Sequence, residues 1–94
     1  MHDLGTLPGG TESFAYGINN HGVIVGYSTT ANGTFRAVMW ADGKIINLNR
    51  FLPRRAKVAG VVLGIAYAIN DKGQIAVVAT VNGHGHGFLL APAR

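Results

Sequence analysis

Short, largely apolar runs fill most of this chain, and Asn, Asp and Gly interrupt them at short intervals. From Ser13 to Ile18, small residues (Ser13, Ala15, Gly17) fall on one face and large ones (Phe14, Tyr16, Ile18) on the other, the pattern of a strand. Asn19-Asn20-His21-Gly22 then supplies a four-residue hairpin connection, in which Asn tolerates turn geometry and Gly a positive φ. Val23 to Thr30 is predicted as the returning strand. Ala31-Asn32-Gly33 turns into a third strand from Phe35 to Trp40, and Asp42-Gly43 into a fourth from Lys44 to Leu48. Before these strands, Met1 to Gly5 forms a short alternating piece, and Thr6 to Gly10 a loop marked by Pro8-Gly9-Gly10. Asn49 to Ala59 breaks the rhythm and is read as a loop or surface excursion with room for one helical turn. Strands resume at Val61 to Ile69, Gln74 to Val81 and His86 to Leu90, with turns at Asn70 to Gly73 and at Asn82-Gly83.

The stretch from Ala15 to Gly26 recurs from Ala66 to Val77, an offset of 51 positions. At that offset Phe14 falls on Ile65, Tyr16 on Tyr67, Ile18 on Ile69 and Gly22 on Gly73. Ala15 falls on Ala66 and Gly17 on Ala68, so the small face is retained as well. A sheet that is bulky on one face and small but apolar on the other suits packing on both sides, the large side of one unit against the small side of the next. The large positions Tyr16, Tyr67, Phe35 and Trp40 are therefore expected inside. The predicted fold is all-β: two four-stranded antiparallel meanders resembling propeller blades. They span residues 1–49 and 61–94, with a basic loop at 50–60 between them.

The second unit lacks a fourth strand of its own. Trp40 precedes Leu48 by eight positions, and Leu90 would precede Leu4 by eight if the two ends were joined. The N-terminal piece thus has the pattern of the missing strand. It completes the sheet within the chain or between chains, or the chain is a window on a longer array.

Composition narrows the classes. The 94 residues are 48% hydrophobic and 13% charged with 14 Gly, too apolar for a disordered segment and too Gly-rich for a helical bundle. A chain of this length buries only ~60–65% of its unfolded surface, so association is expected. The absence of Cys excludes disulfides and thiolate metal sites. No apolar run reaches the ~20 residues of a membrane-spanning helix, so no membrane insertion is expected. The N-terminus lacks the basic start and apolar middle of a secretory signal, which reads as a cytoplasmic chain or a piece of a longer one.

Asp3-Leu4-Gly5-Thr6-Leu7-Pro8-Gly9-Gly10, Ala15-Tyr16-Gly17-Ile18-Asn19, Gly22-Val23-Ile24-Val25-Gly26 and Ala37-Val38-Met39-Trp40 together resemble the bacterial HAF repeat, an extracellular repeat family. Ile69 to Ile75 and Gly87-Phe88-Leu89-Leu90-Ala91-Pro92 resemble the closing repeat of such arrays. Arg36 departs from the family pattern, standing where the family has His, and Ala76-Val77 replaces a Val-Gly pair. The resemblance implies an array of β repeats, built like propeller blades, on secreted or surface proteins of bacteria. It implies no catalysis.

The chemistry visible in the residues is sparse. Ser13 and Ser28 lack a nucleophile elbow and no carboxylate pair recurs near a His, so no catalytic residue is assigned and no enzyme is expected. His84 and His86 share a face if extended, but two imidazoles without Cys do not complete a site, and no metal or cofactor is expected. Four acidic residues are too few for the six to eight oxygens of a calcium site, and Asn70 and Asp71 read as turn formers. His86 is expected half-buried and bonded to the backbone. The candidate ligand-binding residues are Trp40, at a strand end where it can line a carbohydrate cleft, with Tyr27 and His86. The net charge of +4 draws on Arg50, Arg54, Arg55 and Lys57, a cluster able to meet an anion or nucleic acid, although a solvated loop is the commoner meaning and nucleic acid the less favoured partner. The expectation is a non-enzymatic scaffold or ligand-binding module, with anion binding as the alternative and a hydrolase-like propeller third. Its ring is closed by homo-oligomerisation, a cyclic trimer being favoured, or by repeats of a parent chain.

Overall fold

The chain's structure, a computed structural model, describes residues 5–91. It is mostly β. Strands β1 (Ser13–Ile18), β2 (Ile24–Thr29), β3 (Phe35–Ala41) and β4 (Lys44–Asn47) form one antiparallel meander. Strands β5 (Val61–Ile69), β6 (Ile75–Val81) and β7 (His84–Leu90) form a second, of three strands. Met1–Leu4, the expected fourth strand of the second sheet, lies outside the described residues. No helix among the described residues is long and apolar enough to cross a membrane.

Turn chemistry sets the hairpins. Asp42 and Gly43 both take positive φ (53° and 74°), as do Asn82 and Gly83 (53° and 84°), the backbone that joins two twisted strands through two residues. The four-residue turn after β1 is built differently: the Asn19 Oδ1 accepts the His21 and Val23 N–H groups, each at 3.0 Å. Asn70 does the same for Lys72 and Gln74 after β5. One Asn side chain thus stands in for a backbone acceptor at each turn.

Each sheet presents one face to the other. Paired residues of antiparallel strands share a face, and Val25 pairs with Met39 while Tyr27 pairs with Ala37. Val25, Ala37 and Met39 meet Leu63, Ala66, Ile75, Val77 and Ala79 of the second sheet, with the fully buried Leu48 closing one side. Burying each large side chain of this cluster stabilises by roughly 1.5–3 kcal/mol before entropy is charged against it. The opposite face of the first sheet forms a smaller cluster, Val38 and Trp40 beneath Leu7. The Ser28 hydroxyl, fully buried beside it, accepts the Leu7 N–H at 2.9 Å and donates to the Thr29 carbonyl at 3.0 Å. These bonds commit Ser28 to structure.

The segment read as a basic loop holds two short helical pieces. Asn47 caps a 3-10 turn, Leu48–Phe51, and Pro53 precedes α1, Arg54–Val58, which Gly60 ends at φ 85°. The turn persists because the Asn49 side chain pairs with both backbone groups of Leu63, accepting its N–H at 2.7 Å and donating to its carbonyl at 2.9 Å.

Three residues expected inside are about half exposed: Tyr16 (50%), Tyr67 (47%) and Phe35 (49%). Register shifts between Ala15 and Gly17 and between Ala66 and Ala68 mark bulges that take Tyr16 and Tyr67 out of the alternation. Phe35 opens its strand opposite Thr29, and that end of the strand is exposed.

Candidate functional site

The exposed aromatic side chains gather on one feature. Tyr27, in the middle of β2, is paired across the ladder with Phe14, and their rings lie 5.4 Å apart. Phe35 stacks on the other side of Tyr27 at 4.8 Å. The bulge in β1 brings the Tyr16 ring to 6.1 Å from Tyr27, and Tyr67 of the second sheet stands 5.4 Å from Tyr16. The five rings make one continuous stripe across both sheets, tilted 35° to 43° to one another at centroid distances where aromatic pairs attract beyond their buried area. Tyr27, 9% exposed, is its floor; the other four rings stay about half open to solvent.

Burial raises the Tyr27 phenol above its usual range, and the neighbouring Tyr16 and Glu12 push in the same direction. The folded chain therefore holds this proton more tightly than the unfolded chain. Its contribution to stability is complete below the ordinary phenol value of about 10 and is lost as pH rises through the raised value. In a phenolate absorbance titration the Tyr27→Phe chain is expected to lack a step that the parent shows above pH 10. A missing step centred at or below the ordinary phenol value of about 10 would contradict this burial.

The other sequence candidates lie elsewhere. Trp40 does not line a cleft: it is 5% exposed under Leu7, with its indole Nε1 donating to the Gly5 carbonyl at 3.3 Å. His86 is exposed rather than half-buried, its ring 6.2 Å from that of Phe88, because β7 is the outer described strand of its sheet. His84 and His86 share a face of β7 through their pairing with Val81 and Ala79, and no third His, Asp or Glu joins them among the described residues. Arg54, Arg55 and Lys57 are exposed on α1, while the Arg50 guanidinium lies 6.0 Å from the centre of the Phe51 ring. The basic residues and the aromatic stripe are thus on different elements.

A cavity of about 200 Å³ opens between α1 and the second sheet, walled by Leu52, Ala56, Val61, Leu63, Val77 and Phe88. It lies below the usual range of small-molecule sites, about 300–1,000 Å³, and its walls are apolar.

The sequence reading missed the contact between the two turns. The Asn19 Nδ2 donates to the Asn70 carbonyl at 3.1 Å. The Asp71 carboxylate accepts the Asn20 N–H at 2.8 Å and its Nδ2 at 2.6 Å. These partners, like Tyr16 and Tyr67, are residues 51 positions apart, so the offset that aligns the two stretches also names contacts in space.

Compared with protein-family models, with curated proteins and with solved structures, the chain matches none.

Proposed function

We propose that this chain is a non-enzymatic β-repeat module of propeller type, carried on a secreted or surface protein of a bacterium, whose aromatic stripe binds a carbohydrate. The observation that carries the reading is the run of five touching rings, four of them about half exposed. Contiguous exposed apolar surface of this kind marks interaction sites, since water gains when it is covered. A sugar ring suits it because its C–H face stacks on an aromatic plane while its hydroxyls meet the rim, where Tyr16 and Tyr67 supply phenols. Contacts between residues at the repeat offset, Tyr16 with Tyr67 and Asn19 with Asn70, support the repeat architecture.

A glycan array probed with the full chain is expected to yield binders. Phe35→Ala, at a half-exposed position, is expected to weaken the tightest of them by at least tenfold, about 1.4 kcal/mol. An array with no binder, or equal binding by the variant, would count against the stripe.

A further inference from the structure

We propose that the free face of the second sheet is the docking surface for the first sheet of another copy of this chain, repeating between chains the interface that joins the two sheets within one. Residues 51 positions apart differ in how they are covered. On the first sheet Val25 is fully buried in the cluster that the second sheet completes, and Tyr27 beside it is 9% exposed. Their counterparts Ala76 and Val78 lie on the outer face of the second sheet, exposed, Val78 to 38%. The converse holds for the other side of the contact. Ala66 and Ile75 are 0% and 1% exposed against the first sheet, with Ile69 packed beside them. Their counterparts Ala15 and Ile18 are exposed, Ile18 to 64%, and Ile24 is only partly buried.

The second sheet therefore keeps one uncovered face and the first sheet an uncovered margin beside the Leu7 cluster, and the two correspond to complementary parts of an interface the molecule already contains. Ala15, Ile18 and Ile24 are the same residue types as the Ala66, Ile69 and Ile75 that fill it within the chain. They line an open groove with Tyr16 and Gly17. The segment around Leu7 covers Val38 and Trp40, with Ile24 packed at the edge of that cluster, and the groove stays open beside it.

The polar groups fit the same operation. Asn19 reaches across to the Asn70 carbonyl, which also accepts the Gly73 N–H. Asn70, with no third such turn among the described residues, donates its Nδ2 to the Gln74 Oε1 at 2.8 Å. In the assembly that Nδ2 turns to the Asn19 carbonyl of the next copy, and the half-exposed Tyr67 ring stacks on that copy's Tyr16. The two surfaces in contact differ, so the interface is heterologous and propagates head to tail until rotation closes it into a ring.

Light scattering and sedimentation of the full chain over a dilution series are expected to give a mass at least twice that of one chain. Ile18→Glu disables the first-sheet face and Val78→Glu the second-sheet face, both at positions already in contact with water. Each variant alone is expected at the mass of one chain, with the circular dichroism of the parent. Mixed, they are expected to form a one-to-one dimer, because each retains the face the other has lost. A parent at the mass of one chain throughout would overturn the proposal, as would a mixture of folded variants that stays monomeric. A failed glycan array leaves these masses untouched, so the two readings fail separately.

Discussion

A Gly26→Ala chain is expected to lose at least ~3 kcal/mol of stability, because a β-carbon at this position overlaps main chain rather than a side chain that can turn away. Gly26 is buried at the centre of β2, paired with Ala15 on one side and Val38 on the other. A Cβ built there meets the Phe14 carbonyl and comes within 3.0 Å of the Ala15 Cα. The only relief is for β1 to move away, which breaks the ladder at its bulge and draws Phe14 from Tyr27. Elsewhere in a strand the same substitution restrains the unfolded chain and stabilises by ~0.4–1 kcal/mol, so the sign of the effect is itself diagnostic. Position 77, 51 residues later, carries a Val at 2% exposure, paired with Ala66. There β5 has a second register shift, between Leu63 and Ile65, that β1 lacks. Guanidinium denaturation measures the outcome: a midpoint equal to or above that of the parent would show that β1 yields without cost.

Much of the fold was legible because strand and turn signals are local. Alternation places β1 and β5 at their observed bounds, and Asp42-Gly43 and Asn82-Gly83 form the two-residue turns their chemistry favours. What the sequence conceals is which face of a sheet will be covered. Phe14 and Tyr16 have the hydrophobicity of core residues, and nothing in their order shows that they stay about half exposed. A bulge has no alternation signature either, so Tyr16 and Tyr67 read as inward until the register is known. Trp40 misleads for the opposite reason: its strand-end position suggests a rim, but Leu7, 33 residues earlier, folds over it. The candidate site was half legible. Tyr27 was named among the candidates, yet the rings that make it a platform arrive from β1, β3 and β5. Asp71 read as a turn former, and its carboxylate is in fact the acceptor that ties one turn to the other.

Ile75→Ala is expected to cost about 2–5 kcal/mol, the range for removing a large aliphatic side chain from a tight core. Ile75 is 1% exposed among Leu63, Ala66 and Val77, and in a small domain with a thin core this is a large part of a total near 5–15 kcal/mol. Ile24→Ala is its internal control. The two isoleucines are 51 positions apart and play one part in the ladder, Ile24 paired with Ile18 and Ile75 with Ile69. They differ in cover: Ile24 has Trp40 beside it and the open groove on its other flank. In dilute solution Ile24→Ala is therefore expected to cost about 1 kcal/mol, well short of its counterpart, since the methyl groups it loses were partly in water already. Docking of a second copy over Ala15, Ile18 and Ile24 would make the environments of the two side chains alike. The cost of Ile24→Ala should then rise with protein concentration toward that of Ile75→Ala, whose own value changes less, because mass action adds stability to any fold that associates. Thermal unfolding of both variants at low and high concentration reads this directly. A gap between them that stays constant across the series would mean that the groove beside Ile24 remains open in solution.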